Sequence, residues 1–218
     1  MKITQISEHI WSLKIWIVIP IHVWVVVDKD DVTLVDAGLP FMAKGILQFI
    51  EKLKAGPLTR IVLTHGHGDH VGAIEKILSV IQVPIFAHRI EIPYIEGKVT
   101  YPRKKKPMIT VAKQRTQALP ENEGELQSMG GLTPYFTPGH SPGHVVYYHQ
   151  QDQVLLVGDL FTAKKGILRK PMAIFTGDME EAIRSSAIVK QLKPLRLEVC
   201  HGTSVLQPAN QLDTYLNS

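Results

Sequence analysis

Six consecutive residues, His65-Gly66-His67-Gly68-Asp69-His70, put three imidazoles and a carboxylate into one short stretch. Imidazole nitrogen and carboxylate oxygen are the donors that zinc, manganese and iron accept, so the chemistry on offer is that of a bound divalent cation. Such a cation polarises a carbonyl or phosphoryl oxygen and makes water acidic enough to attack at neutral pH. The stretch follows Ile61-Val62-Leu63-Thr64, which has the β-branched, apolar character of a buried strand. It precedes Val71 to Ile81, where Ile74, Ile77, Leu78 and Ile81 recur at helical spacing. The donors therefore belong on a strand-to-helix crossing. Glycines at 66 and 68 predict a turn that uses positive φ to aim His65 and His67 at one point. Asp69 and His70 then open the helix, where unpaired N–H groups and the dipole favour a carboxylate.

This His-x-His-x-Asp-His pattern at a strand end resembles the signature of the metallo-β-lactamase-fold hydrolase superfamily, in its glyoxalase II and lactonase-like branch. Further motifs of that pattern follow in order: Thr137-Pro138-Gly139-His140, Val157-Gly158-Asp159 and Val199-Cys200-His201-Gly202. The resemblance implies two divalent ions, with Zn2+ expected and Mn2+ or Fe2+ compatible with the same donors. His65, His67 and His140 would hold the first ion, Asp69, His70 and His201 the second, and Asp159 would bridge them. It also implies that Asp36, in Val35-Asp36-Ala37-Gly38, supports the site from behind by holding a ligand's other N–H. His144 is expected to be a packed or supporting residue. The implied mechanism is attack by a hydroxide held between the ions on a carbonyl or phosphoryl centre, with Asp69 taking up or relaying the proton as the catalytic residue.

The elements that must position these residues are partly readable. Ile3 to Ser7, His9 to Ile15, Ile21 to Val27 and Val32 to Asp36 read as an antiparallel series of strands, and Phe41 to Lys54 as a helix with Ile46, Leu47, Ile50 and Leu53 on one face. Val83 to Ala87 continues a β-α-β-α-β alternation. From 88 to 131 prolines mix with Arg103-Lys104-Lys105-Lys106, and only Val111 to Leu119 has helical character. That segment is expected to form the substrate cover, with Tyr94, Tyr101 and the basic run as candidates to touch substrate. Leu132 to Thr137, His144 to His149, Val154 to Asp159 and Leu197 to Gly202 read as further strands, and Met179 to Leu192 and Pro208 to Leu216 as helices. Alternation along an extended run predicts that Cys200 points away from His201, into the core. One domain over 1–218 is expected, α+β in class. The four-layer αββα sandwich itself is what the resemblance implies.

Composition narrows the function. Of 218 residues, 44% are hydrophobic and 20% charged, ordinary values for a globular protein. The single cysteine excludes an internal disulfide, the N-terminus lacks a signal-peptide pattern, and the apolar stretch Ile15 to Val27 is too short to span a bilayer as a helix. A cytoplasmic location and no membrane partner are the expectations. A small-molecule substrate is expected, and a net charge of +4 permits it to be anionic without demanding it. The expected activity is metal-dependent hydrolysis of a small ester, lactone or thioester. A secreted β-lactamase is disfavoured by the missing signal pattern. Glyoxalase-II-like thioester hydrolysis shares the ligand set, but with a short tail after His201 no full glutathione-binding helical domain is expected. Phosphodiester or RNA cleavage shares the ions, but no added nucleic-acid arm is evident. A mononuclear iron sulfur dioxygenase and a silent binding module complete the alternatives, the last disfavoured by the complete ligand set.

Overall fold

The computed structural model describes residues 1–217. Strands β1 (Lys2–Gln5), β2 (Ile10–Trp16), β3 (Pro20–Asp28) and β4 (Asp31–Val35) pair antiparallel in sequence order. The first seven residues of β3 are buried on both faces, because the strand lies between β2 and β4 with apolar layers above and below; hence its unbroken Val-Trp-Val-Val-Val run. Direction then changes. After helix α1 (Ala43–Leu53), strand β5 (Leu58–Val62) adds parallel to β4; α2 (Gly68–Val71) and α3 (Ile74–Leu78) lead to β6 (Ile85–Ala87). Past α4 (Ile92–Ile95), β7 (Thr116–Ala118) closes a seven-stranded sheet.

A small hairpin, β8 (Glu121–Asn122) and β9 (Glu125–Leu126), leads into the second sheet. There β10 (Thr133–Phe136), β11 (Val145–His149) and β12 (Val154–Leu156) run antiparallel. The hairpin of β13 (Thr162–Lys164) and β14 (Ile167–Arg169) and helices α5 (Met179–Ser185) and α6 (Ile188–Leu192) form the crossing to β15 (Arg196–Glu198), which lies parallel to β12. Strand β16 (Val205–Leu206) and helix α7 (Leu212–Leu216) follow, giving the order β10-β11-β12-β15-β16.

Strand alternation builds the layers. Val145, Tyr147, Val154 and Leu156 pack in one apolar cluster with the first sheet and with Ile46 and Ile50 of α1 and Ile74 and Ile77 of α3. Their neighbours Val146, Leu155 and Val157 face the other way, onto Ile188, Val189, Leu212 and Tyr215. The result is the α+β, four-layer αββα sandwich that the sequence motifs implied. Its parallel strands end on one edge. Asp36 follows β4, His65 to His70 follow β5, Asp159 follows β12 and His201 follows β15.

Four expectations about local structure are corrected. Val71 to Ile81 is two short helices, because Val71 bridges to Gly38 and the position of a Cβ on Gly72 lies 2.8 Å from Pro40 Cδ and 2.9 Å from Gly38 O. That close approach bends the chain away from a single axis. Val111 to Leu119 is not helical: Gln114 sits at φ 63°, and Thr116 to Ala118 are captured by β6 as the edge strand β7. Long-range pairing outweighs a weak local preference there. Met179 to Leu192 breaks at Ser186, whose hydroxyl donates back to the Ile183 carbonyl at 2.6 Å, an option that competes with helix continuation. Pro208 to Gln211 is a 3₁₀ turn preceding α7.

Candidate metal centre

The loop after β5 is tight for steric rather than torsional reasons. Neither Gly66 nor Gly68 has positive φ, contrary to expectation. Instead a Cβ on Gly66 would come within 2.3 Å of both Ile95 Cγ1 and the Tyr101 hydroxyl, so position 66 is held to glycine by what packs over it. The loop's backbone is anchored by Glu91, a fully buried carboxylate that sequence reading missed. Its Oε1 accepts from Gly66 N at 2.9 Å and from Tyr101 Oη at 2.8 Å. Its Oε2 accepts from Ser141 Oγ at 2.9 Å and from Gly143 N at 2.7 Å. One side chain thus ties the His65–His67 loop to the His140 loop. Burial pushes its carboxyl pKa up against those four donors, which favour the charged form.

Hydrogen bonds fix which ring nitrogen four of the histidines present. Thr64 Oγ1 donates to Asp36 Oδ2 at 2.8 Å and accepts from His65 Nδ1 at 3.1 Å. His70 Nδ1 donates to Asp36 Oδ2 at 2.8 Å, and His201 Nδ1 to the Pro20 carbonyl at 2.9 Å. Thr176 Oγ1 donates to the Met172 carbonyl at 2.9 Å and accepts from His140 Nδ1 at 3.2 Å. In each case Nδ1 carries a proton and is held from behind, and Nε2 is turned toward the centre. Asp36 is fully buried at φ 56°, and its Oδ1 also accepts from Thr64 N at 2.8 Å, so it holds His70 from behind as the resemblance implied.

The inward atoms converge. His140 Nε2 lies 3.1 Å from His67 Nδ1 and 3.4 Å from Asp159 Oδ2. His70 Nε2 is 3.5 Å from Asp159 Oδ1; His201 Nε2 is 3.3 Å from Asp159 Oδ2 and 3.2 Å from Asp69 Oδ2. Two ligands bound at about 2.1 Å with tetrahedral angles stand about 3.4 Å apart, so these separations suit a shared cation. Two groups of donors form: His65, His67 and His140 in one, and His70, Asp159, Cys200 and His201 in the other, the atoms of each within 4.8 Å of one another. All seven residues predicted to bind metal come together, with Asp69 at the half-exposed rim. The decisive observation is what lacks a partner. His65 Nε2, His70 Nε2 and Asp159 Oδ1 are buried with no hydrogen bond, an expensive arrangement unless something positive sits among them.

Electrostatics agree. Burial lowers the pKa of His65, of His67 to about 4, and of His140, keeping these rings in the neutral form that ligates. Burial opposes protonation of His70 and His201 as well. There, however, carboxylates outweigh it, those of Asp36, Asp159 and Asp69 at His70 and those of Asp159 and Asp69 at His201, and push both upward, a demand for positive charge. Burial also works against the charge on Asp69, but His70 and the hydrogen bond from His201 hold its pKa at about 2.

Cys200 departs from the expectation that it points away from His201. Strand β15 ends at Glu198, so alternation does not extend to residue 200; the thiol lies among the His70, Asp159 and His201 donors and gives its proton to the His22 carbonyl at 3.6 Å. It is fully buried and also belongs to the apolar cluster between the sheets. His144 is buried, with Nδ1 3.0 Å from Thr137 Oγ1 and its ring 5.4 Å from that of His65, outside both donor groups.

A cavity of 570 Å³ opens over Asp69, Asp159 and His201. The segment 88–131 supplies one wall, through Tyr101, Lys104, Lys105, Lys106, Met108 and Thr110; Ile19, Met172 and Phe175 supply the other. Tyr94 packs against Tyr101 with ring centres 5.1 Å apart and does not line the cavity, nor does Arg103.

Comparison with known proteins agrees with this geometry. The model of the metallo-beta-lactamase superfamily matches residues 16–201. The chain belongs to that superfamily. A probable metallo-hydrolase, YybB of Bacillus subtilis (strain 168), is 40% identical over 210 residues, covering 94% of this chain and 93% of the relative. A hydroxyacylglutathione hydrolase of Bdellovibrio bacteriovorus is 28% identical over 181 residues, covering 81% of this chain and 62% of that protein. Among solved structures, a metallo-beta-lactamase from Pontibacter korlensis shares the fold at a TM-score of 0.74 and 21% identity, with 99% of this chain and 97% of that one covered. For a member of this superfamily the convergent His and Asp side chains are a fitting place for divalent metal. No helix among the described residues is long and apolar enough to cross a membrane.

Proposed function

We propose that the protein is a metallo-hydrolase that cleaves a small ester, lactone or thioester at a two-ion centre, zinc being the expected metal. The observation that carries this reading is the set of buried, unpartnered atoms, Nε2 of His65 and His70 and Oδ1 of Asp159, gathered behind an open cavity that His67, Asp69, Asp159 and His201 line. His65, His67 and His140 would hold one ion, Asp69, His70 and His201 the other, and Asp159 would face both. When bound, the ions supply Lewis-acid polarisation of the substrate oxygen and lower the pKa of water to about 7.

The chain's own residues do the rest. Asp36, Thr64, Thr176 and the Pro20 carbonyl fix the imidazoles, so little reorganisation accompanies reaction. Asp69 stays ionised at neutral pH and is 32% exposed on its side chain, so it can take a proton at a carboxylate oxygen facing the cavity and pass it on. Tyr101 is ill-suited to donate to a developing oxyanion, because its hydroxyl proton is committed to Glu91 and burial pushes its pKa up. The names of the relatives, a probable metallo-hydrolase and a thioester-cleaving hydroxyacylglutathione hydrolase, support the same reaction class.

The test is a panel of lactones, thioesters, carboxylic esters, phosphodiesters and β-lactams against protein of measured metal content. Exhaustive chelation should abolish turnover of the ester, lactone or thioester, and readdition of zinc or manganese should restore it. Turnover that survives complete demetallation ends the proposal. A single bound iron with oxygen consumption replaces it with an oxidoreductase.

A further inference from the structure

The cavity wall has a charge pattern that the hydrolytic centre does not use. Apart from Asp69 and Asp159, which face the histidines, the acidic and basic side chains other than histidine on the wall are Lys104, Lys105 and Lys106. All three are exposed at the mouth, and none makes an ion pair among the described residues. Three adjacent ammonium groups repel one another, so their placement over a shared opening favours an anionic visitor. Lys104 is directed rather than free. Its Nζ stands 5.5 Å from the centre of the Phe175 ring, a cation–π contact across the mouth.

The rest of the mouth is apolar. Met108 is 58% exposed and Phe175 42% exposed, and Met172 and Ile19 line the same space. Large apolar side chains left open beside a cationic rim suit a ligand with both characters. Methionine adapts to varied shapes, which fits an alkyl or aryl portion better than a rigid polar one.

We propose that the substrate is an amphiphilic anion: its cleavable acyl group reaches the floor at Asp69 and Asp159, its apolar portion lies on Met108, Met172 and Phe175, and its carboxylate or phosphate is read by Lys104, Lys105 and Lys106. This rests on the hydrolase reading and narrows it to one substrate class. Carboxylate and phosphate share the chemistry that lysines recognise, so the experiment separates them.

Binding, not turnover, is the readout. Metal-loaded protein is titrated calorimetrically with 4-phenylbutyrate, 3-phenylpropylphosphonate and the neutral 4-phenyl-1-butanol, at about 0.02 M and about 0.3 M salt. At least one anion should bind about ten-fold or more tightly than the alcohol, and that preference should shrink at high salt. In K104Q/K105Q/K106Q it should fall to about two-fold or less, whereas K164Q/K165Q, which removes charge outside the cavity, should keep it. The stronger of the two anions identifies the group. Equal or undetectable binding of anion and alcohol to the unaltered protein overturns the proposal. So does a preference that persists in the triple variant, since the ions alone would then be reading the charge. Absence of hydrolysis across the substrate panel, with the lysine-dependent preference intact, counts against the hydrolase reading alone.

Discussion

Histidine and aspartate gather twice in this fold, at the two ends of β11, and the two gatherings behave differently. At its start, next to His144, lies the convergence of His65, His67, His70, His140, His201, Asp69 and Asp159. At its end, His149 meets His9 and Asp152, three donors that also lie within 4.8 Å of one another. In that second group the polar atoms satisfy each other. Asp152 Oδ1 accepts from His9 Nδ1 at 2.8 Å and Oδ2 from His9 N at 3.0 Å, while His149 Nδ1 accepts from Asp152 N at 3.2 Å. The first group leaves Nε2 of His65 and His70 and Oδ1 of Asp159 buried with nothing to bond. Residue type is shared; the unmet demand is not. The first cluster is built to receive a cation, and the second is a clasp joining the start of the chain to the β11–β12 turn.

The sharpest way to break this contrast is to remove Asp159, which faces His70, His140 and His201. D159A should lower metal content and cut hydrolysis about a thousand-fold, the loss expected when several kcal/mol of transition-state stabilisation disappears. Two ions per chain retained in D159A, counted by elemental analysis, would reject its placement between them.

Glu91 comes next. In E91A the buried donors of Gly66, Gly143, Ser141 and Tyr101 lose their acceptor together. Stability should fall by about 3 kcal/mol, and Tm by roughly 6–12 °C by calorimetry. E91Q should fall between the two, since its amide oxygen still serves one loop while its NH2 group confronts the donors of the other. A melting temperature unchanged in E91A would show that the two histidine loops do not depend on this tie.

A smaller effect is expected at Asp36. In D36N the amide cannot accept from Thr64 and from His70 at every position the carboxylate now serves. Affinity for the second ion should drop about 10–100-fold in competition with a chromophoric chelator, with the first ion much less affected. Equal weakening of both ions would mean that Asp36 supports the loop in general rather than His70 in particular.

Legibility followed the range of the interactions. Strands β3 and β4 were readable because they are buried over most of their length and their apolar runs have few exceptions, and of β5 the buried end Ile61-Val62 was readable for the same reason. The ligands were readable because histidines at fixed spacing at strand ends are rarely accidental. Glu91 was not: Ile90-Glu91-Ile92-Pro93 reads as an exposed acid ahead of a proline turn, and three of its four partners stand 25, 50 and 52 residues away along the chain. Thr176, which fixes His140, has no local signal either. Gly66 was read as glycine for the wrong reason, because the packing of Ile95 and Tyr101 over it is a tertiary fact. Cys200 and Val111 to Leu119 failed alike, each through a periodicity continued past the point where tertiary contact takes over.

The clasp gives the smallest prediction and the complement of the first. D152N should leave metal content and hydrolysis unchanged and cost about 1 kcal/mol or less near neutral pH, as a partly exposed pair does. Its sign with pH follows from the groups involved. Burial alone would raise the Asp152 pKa, but the hydrogen bonds from the His9 backbone and ring outweigh it and hold the carboxyl below its usual range. A depressed carboxylate contributes stability above its unfolded pKa and loses it as pH falls through the folded value. The difference in Tm between the unaltered protein and D152N should therefore be present at pH 6–7 and fade below about pH 4, the usual aspartate range. Burial also lowers the His149 pKa, so the folded form resists its protonation and stability should decline from about pH 6.5 downward in both proteins. Zinc in excess should not raise the Tm of D152N less than that of the unaltered protein. If it does, the clasp binds metal after all, and an unmet hydrogen-bonding demand is not what separates the two clusters.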